Sequence, residues 1–142
     1  MSGRLYGLGV GADREAPPEE LYALAEQTLA EAGLTAGAVA CIASIDLKSS
    51  EPAVLALARD FGVPARFFSA TELEAETRRL ANPSEIVFRE VGCHGVAEAA
   101  ALAAAGPEGV LIVPKRKSIR CTVALARSPS PIRLTDIGGG PA

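Results

Sequence analysis

The chain has no tryptophan, a single histidine and only 4% aromatic residues. Proteins that hold single-stranded nucleic acid without sequence preference stack bases on aromatic rings set among cations. No aromatic residue interrupts the one basic run here, Lys115, Arg116, Lys117 and Arg120, so that class is excluded. An excess of positive charge is also missing. Lys and Arg number 14 against 17 Asp and Glu, and a net charge of −3 supplies no global field to draw nucleic acid or an anionic bilayer. Any anion must be met locally. No apolar run approaches the roughly 18 residues of a spanning helix, and the first residues lack the charged-then-apolar order of a signal peptide, so the expectation is a cytoplasmic protein with no membrane segment. Cysteine is sparse: Cys41, Cys93 and Cys121 lie far apart with no C-x-x-C spacing, which leaves no zinc ribbon, no dithiol redox pair and an expectation of reduced thiols. Neither a metal nor a cofactor is expected.

What is present suits one compact core. A length of 142 residues and a hydrophobic content of 49% fit a single domain. Arg4 to Val10 is β-prone and breaks at Gly9 and Gly11. Pro17, Pro18, Glu19 and Glu20 then open a helix that carries Leu21, Leu24, Ala25, Thr28, Leu29 and Ala32 at helical spacing and stops at Gly33. Ala38 to Ser44 is an unbroken apolar run, as in a strand covered on both faces. After it, Val54, Leu57, Ala58 and Phe61 mark a helix closed by Gly62, and Ala65 to Phe68 reads as a strand.

Ser69 with Glu72 forms a capping box for a helix reaching Leu80. Asn82, Pro83 and Glu85 form a second, for a helix ending at Gly92, and a further helix runs from about Gly95 to Ala105. Val110 to Val113 and Cys121 to Arg127 are the last strands, joined by a link too short for a crossover helix. The expectation is an α/β fold, a three-layer α/β/α sandwich on a mixed, mainly parallel sheet of about five strands, antiparallel only at its last strand. The domain is expected over residues 1–127, with an extended or mobile tail over 128–142.

In such sheets ligands bind at the carboxyl ends of the strands, where the following loops and helix N-termini meet. Four polar segments fall there: Gly9 to Ala16, Ser44 to Glu51, Gly92 to Glu98, and Pro114 to Thr122. GLGVG lacks the spacing of a nucleotide fingerprint, and its plain reading is a tight turn. In SIDLKSSEP, Lys48 suits a carboxylate while Ser49 or Ser50 caps the next helix; the alternative is a solvated lysine beside a cap. His94 and Glu98, four apart at a helix start, would share one face, for acid/base work, for holding a substrate, or for a structural role. The run from Lys115 to Arg120 suits polycarboxylate recognition.

Through ASIDLKSSEP, SEIVFREVGCHGVAEAAAL and LIVPKRKSIRCTVALAR the chain resembles the CobE family, also found as the C-terminal domain of CbiG. The likeness runs from Leu5 to Arg127. It covers the glycine-rich first segment with Gly9 and Gly11, the D-x-K-x-x-E of Lys48 and Glu51, the V-G-x-x-x-V-A-E that holds His94 and ends at Glu98, and the P-K-R-K and T-V-A motifs with Lys115, Lys117 and Thr122. One departure lies after the glycines, where family members often carry a cysteine and paired basic residues and this chain has only Arg14. The resemblance implies cobalamin biosynthesis and a carboxylated corrinoid or precorrin intermediate as ligand, with other enzymes of the pathway as partners. In CbiG an N-terminal domain accompanies this one, and the whole protein opens a lactone ring on a cobalt-containing precursor. Two expectations follow: a module that binds and hands on the intermediate through Lys48, Lys115 and Lys117, or an enzyme acting on it with His94 and Glu98 as acid and base.

Overall fold

A computed structural model describes residues 4–132. Five strands form one sheet in the order β3-β2-β1-β5-β4. β1 (Tyr6–Ala12), β2 (Val39–Ile45) and β3 (Ala65–Phe68) are parallel, and β5 (Cys121–Arg127) runs antiparallel to both β1 and β4 (Val110–Lys117). The sheet is therefore parallel except for its last strand, as its short β4–β5 link required. The first three strands and β4 share one carboxyl edge.

Helices cover both faces. α1 (Pro18–Glu31) and α2 (Pro52–Phe61) pack over Leu8, Val10, Val39, Ile42, Val123 and Leu125. On the other face, α5 (Ala97–Ala105) lies over Cys41, Ala43, Ala124 and Ala126. β2 is buried at every position, which explains why its sequence is apolar without alternation. α2 ends at Gly62, whose φ of 68° is a left-handed conformation that a Cβ disfavours. Cys41, Cys93 and Cys121 are free and buried, and loss of water around Cys41 and Cys121 pushes each thiol up to about 11. No helix among the described residues is long and apolar enough to cross a membrane.

Several expected boundaries move, each for a physical reason. Gly9 and Gly11 do not break β1, because the ladder continues through them: Gly9 pairs with Ala43 and Ala124, and Gly11 with Thr122. Their role is steric. The peptide groups of α5 lie so close to β1 that a Cβ on Gly9 would stand 1.9 Å from the Ala97 carbonyl oxygen. β4 continues through Pro114 to Lys117, so the basic run is mostly strand and only Ser118 to Arg120 form the link. The Ser69–Glu72 capping box is present, but its helix, α3, spans only Ala70–Glu74. There the Thr77 hydroxyl donates to the Glu74 carbonyl at 2.6 Å, and a separate 3-10 turn follows over Thr77–Arg79.

α4 (Glu85–Val91) is capped by Ser84, whose hydroxyl oxygen accepts from Val87 N–H at 3.2 Å; Asn82 takes no part in the cap. Neither Ser49 nor Ser50 caps α2, whose N-cap is Glu51 and whose first residue is Pro52. From Ser128 to Ile132 the chain stays bonded to the residues before β1: Ser128 N–H donates to Leu5 O and Ile132 N–H to Arg4 O. The remainder of the expected tail, 133–142, lies outside the described residues.

Gly9→Ala should destabilise the domain by about 3 kcal/mol or more, the upper end of overpacking penalties, since the added methyl meets backbone rather than a movable side chain. Gly7→Ala meets the Ala104 methyl at 3.1 Å and the Ala101 carbonyl oxygen at 3.3 Å, contacts that a shift of a few tenths of an ångström relieves, and should cost less. Urea unfolding of both variants checks the contrast.

Candidate functional site

Three carboxylates, each at the start of a helix, hold the loops of the carboxyl edge. Glu20 in α1 accepts Arg120 N–H at 2.7 Å and the Ser118 hydroxyl, which ties the β4–β5 link to the sheet. The Ser118 bond is the leading reason its carboxyl sits below the ordinary range. Glu51, at the start of α2, accepts Glu15 N–H at 2.8 Å. Glu15 has a φ of 60°, uncommon for a residue with a Cβ, and this bond holds it in that conformation. The loop after β1 is latched a second time by Asp13 N–H to Arg120 O at 2.8 Å.

Glu98 is the deepest of the three, 2% exposed in the first turn of α5. Its Oε1 accepts the backbone N–H groups of Ala81 and Asn82, each at 2.9 Å. Its Oε2 accepts Asn82 Nδ2 and Lys115 N–H, each at 2.8 Å. Burial alone would raise the pKa of this carboxyl. The Lys115 and Asn82 donors more than offset it, and the group stays below its ordinary 4.5.

Alternation along β4 sorts the basic run. Arg116 turns toward α1, where its guanidinium grips both oxygens of the Glu31 carboxylate at 2.8–3.0 Å. Lys117, next to Arg116 in regular pairing with β5, projects to the opposite, α5 side; Lys115 falls in the irregular stretch between Val113 and Arg116, and its backbone N–H meets Glu98 of α5. Neither lysine forms an ion pair among the described residues. Lys117 pairs with Thr122, and Thr122 pairs with Gly11. The missing Cβ of Gly11 would meet Thr122 Oγ1 at 2.6 Å and Val96 at 3.8 Å. Lys117, Thr122 and Gly11 thus form one row across three strands, beside the start of α5, with Lys115 two residues earlier on β4.

The remaining expected residues lie around this row rather than in it. Lys48 sits in a 3-10 turn over Asp46–Lys48, with its ammonium 3.9 Å from Glu51. From β2 to β4 is three strand spacings, about 14 Å. Gly9 is covered by α5. His94 and Glu98 do not share a helix face: α5 starts only at Ala97, and His94 lies in the turn before it. Its Nδ1 stands 2.9 and 3.0 Å from the Glu74 carboxylate oxygens, and its Nε2 is 3.2 Å from Glu85. The Glu74 bond is the main cause of a pKa raised above 6.5.

The chain matches the family described as cobalamin synthesis G C-terminus over residues 6–126. It belongs to the CobE/CbiG C-terminal family. It is 57% identical to Protein CobE from Sinorhizobium sp over 119 residues, 84% of this chain and 77% of that one. It is 30% identical to cobalt-precorrin-5A hydrolase from Priestia megaterium over 89% of this chain, yet it spans only 33% of that protein. Among solved structures, the crystal structure of CobE, a protein from the cobalamin (vitamin B12) biosynthetic pathway, superposes with a TM-score of 0.83 at 39% identity, covering 89% of this chain and 92% of that one. The cobalamin biosynthesis protein chiG from Agrobacterium tumefaciens str. C58 gives 0.68 at 26% identity, covering 88% and 99%.

Within this CobE/CbiG C-terminal domain, sequence reading missed Glu20, Glu74 and Asn82 as partners of the edge loops. Glu20 had been legible only as an acid in a first turn, and its partner Arg120 is 100 positions away. Glu98→Gln should cost about 2–3 kcal/mol, because an amide places a donor against backbone donors that a carboxylate accepts. The stabilisation by Glu98 is complete above its ordinary 4.5 and is lost as pH falls through its lower folded value. Urea midpoints between pH 7 and pH 3 should therefore fall less steeply in Glu98→Gln than in the parent.

Proposed function

We propose that this cobalamin biosynthesis protein binds a carboxylated corrinoid intermediate across the carboxyl edge of its sheet and hands it on within the pathway. The observation that carries the reading is the pair Lys115 and Lys117, free of ion-pair partners among the described residues, two residues apart at the carboxyl edge, with Lys117 in line with Thr122 and Gly11. Two ammonium groups close together at the sheet edge suit a ligand fringed with carboxylates, and Thr122 adds a hydroxyl that can donate or accept. Lys48, weakly held by Glu51, supplies a third cation on the far side of the edge.

Rigid loops favour binding over rearrangement. Glu20, Glu51 and Glu98 fix the backbone that presents these side chains, so little ordering entropy is lost when the ligand arrives. Geometry gives less support to acid/base catalysis by His94 and Glu98. Glu98 already accepts four donors, and both ring nitrogens of His94 face carboxylates. The relative named as a hydrolase is a longer protein of which this chain spans 33%, so its reaction is not carried over.

The test is titration of the purified protein with carboxylated corrinoid intermediates at low and high salt. Affinity should fall as salt rises. Lys115→Ala and Lys117→Ala should each weaken binding about two- to fivefold, the range of an exposed ion pair, and flatten the salt dependence. Unfolding free energy should change by less than about 0.5 kcal/mol. Salt-independent affinity, or lysine variants that bind as the parent does, would overturn the reading.

A further inference from the structure

α4 is held to the rest of the molecule in an unusual way. None of its seven residues is buried, and Ile86 and Phe88 are 64% and 40% exposed. Apolar burial therefore does little to fix it. At its C-terminal end the half-buried Val91 packs on the cluster around Cys41 and Ala43. Its other attachments converge on His94, in the turn before α5. The His94 carbonyl accepts Ser84 N–H at 2.7 Å, and the imidazole stacks on Phe88 with ring centroids 4.4 Å apart and planes 16° from parallel. Nε2 faces Glu85 in the first turn of α4, while Nδ1 and the backbone N–H of His94 both face Glu74 of α3. Among the described residues, Glu74 and Glu85 are the charged groups that act on the ring.

The chemistry of imidazole makes this arrangement conditional. A carboxylate only accepts, so bonds on both ring nitrogens require a proton on each, and only the imidazolium has both. When one proton leaves, one nitrogen presents a lone pair to a carboxylate. Glu74 holds its bond better: it is less exposed than Glu85, 34% against 79%, and it also accepts the His94 N–H. The bond to Glu85 is the one that fails. We propose that His94 is a proton-operated clasp, closing α4 against α3 and the start of α5 when the ring is charged and releasing the first turn of α4 when it is neutral. The Asn82 segment that leads into α4 is tied to Glu98, which also holds Lys115, so the clasp adjoins the row of residues at the sheet edge. The clasp does not depend on what that edge binds.

The sign of the pH dependence follows from the raised pKa. The clasp is complete below about 6.5, the ordinary value for histidine, and is lost as pH rises through the higher folded value.

The test uses the full chain without ligand and without an affinity tag. Because the chain has one histidine, its ring resonances report the titration without ambiguity. The ring should titrate above 6.5, and the amide resonances of Glu85 to Val91 should move with the same midpoint. Hydrogen exchange in α4, corrected for its intrinsic pH dependence, should quicken about two- to fivefold across that midpoint, the range of an exposed ion pair. Glu85→Gln removes the conflict, because an amide can accept from a protonated Nε2 or donate to a bare one, so exchange in α4 should become insensitive to the His94 titration. A ring that titrates at or below 6.5, α4 amides that ignore its titration, or a Glu85→Gln protein with the parent's pH dependence would each overturn the proposal.

Discussion

The close approach of α5 to the sheet is the constraint from which the rest of the domain follows. Gly9 has no side chain because the Ala97 carbonyl occupies that space, and the alanines of α5 continue the same contact toward Gly7. A helix laid so near the strands brings its first turn level with the sheet edge. Glu98 is thereby carried into the interior, within reach of Lys115 on β4 and of the Ala81–Asn82 segment. Burying a carboxylate is costly unless its acceptor sites are filled, and here four donors fill them. One packing contact thus fixes both the position of β4 and the path of the chain into α4.

The same device recurs with less burial. Glu20 and Glu51 also stand at helix starts and also accept backbone N–H groups from loops of the carboxyl edge. Each carboxylate is spent inside the protein. The chain has a net charge of −3, yet at this edge it presents Lys115 and Lys117 without ion-pair partners among the described residues, while Arg116 is neutralised by Glu31. A local cationic site on an acidic protein is the result of which carboxylates are occupied, not of how many there are.

α4 belongs to a different regime. The layers around the sheet are held by apolar burial, whereas α4 is held by half-buried Val91, a ring stack, a backbone bond and one ion pair at the surface. Local stability should follow that division, with the sheet and α5 opening only with the whole domain and α4 opening by itself. That division would set the element with the least apolar burial beside the edge where Lys115, Lys117 and Thr122 lie.

Much of the architecture was legible because it rests on local rules. Apolar periodicity located the main helices and strands, a doubly covered strand read as an unbroken apolar run at β2, and a short final link required an antiparallel β5. The motif order from the first strand to Thr122 was enough to point to the CobE/CbiG family. The reading went wrong where one residue has two local explanations. Glycine marks either a turn or a close approach, and only the folded neighbours, α5 at Gly9 and Thr122 of β5 at Gly11, show that both are the latter; a P-K-R-K run is either loop or strand, and only pairing with β5 shows that it is strand and turns Lys117 away from Arg116. His94 and Glu98 were placed on one face by spacing, but the helix that would join them begins after His94. By itself, then, the sequence determined the layers, the strand directions and the family, since those depend on patterns within a few residues. Tertiary structure alone decided which charges are spent and which remain free, because the partners of Glu20, Glu98 and Arg116 come from segments far apart in the chain, and no local pattern encodes a contact between them.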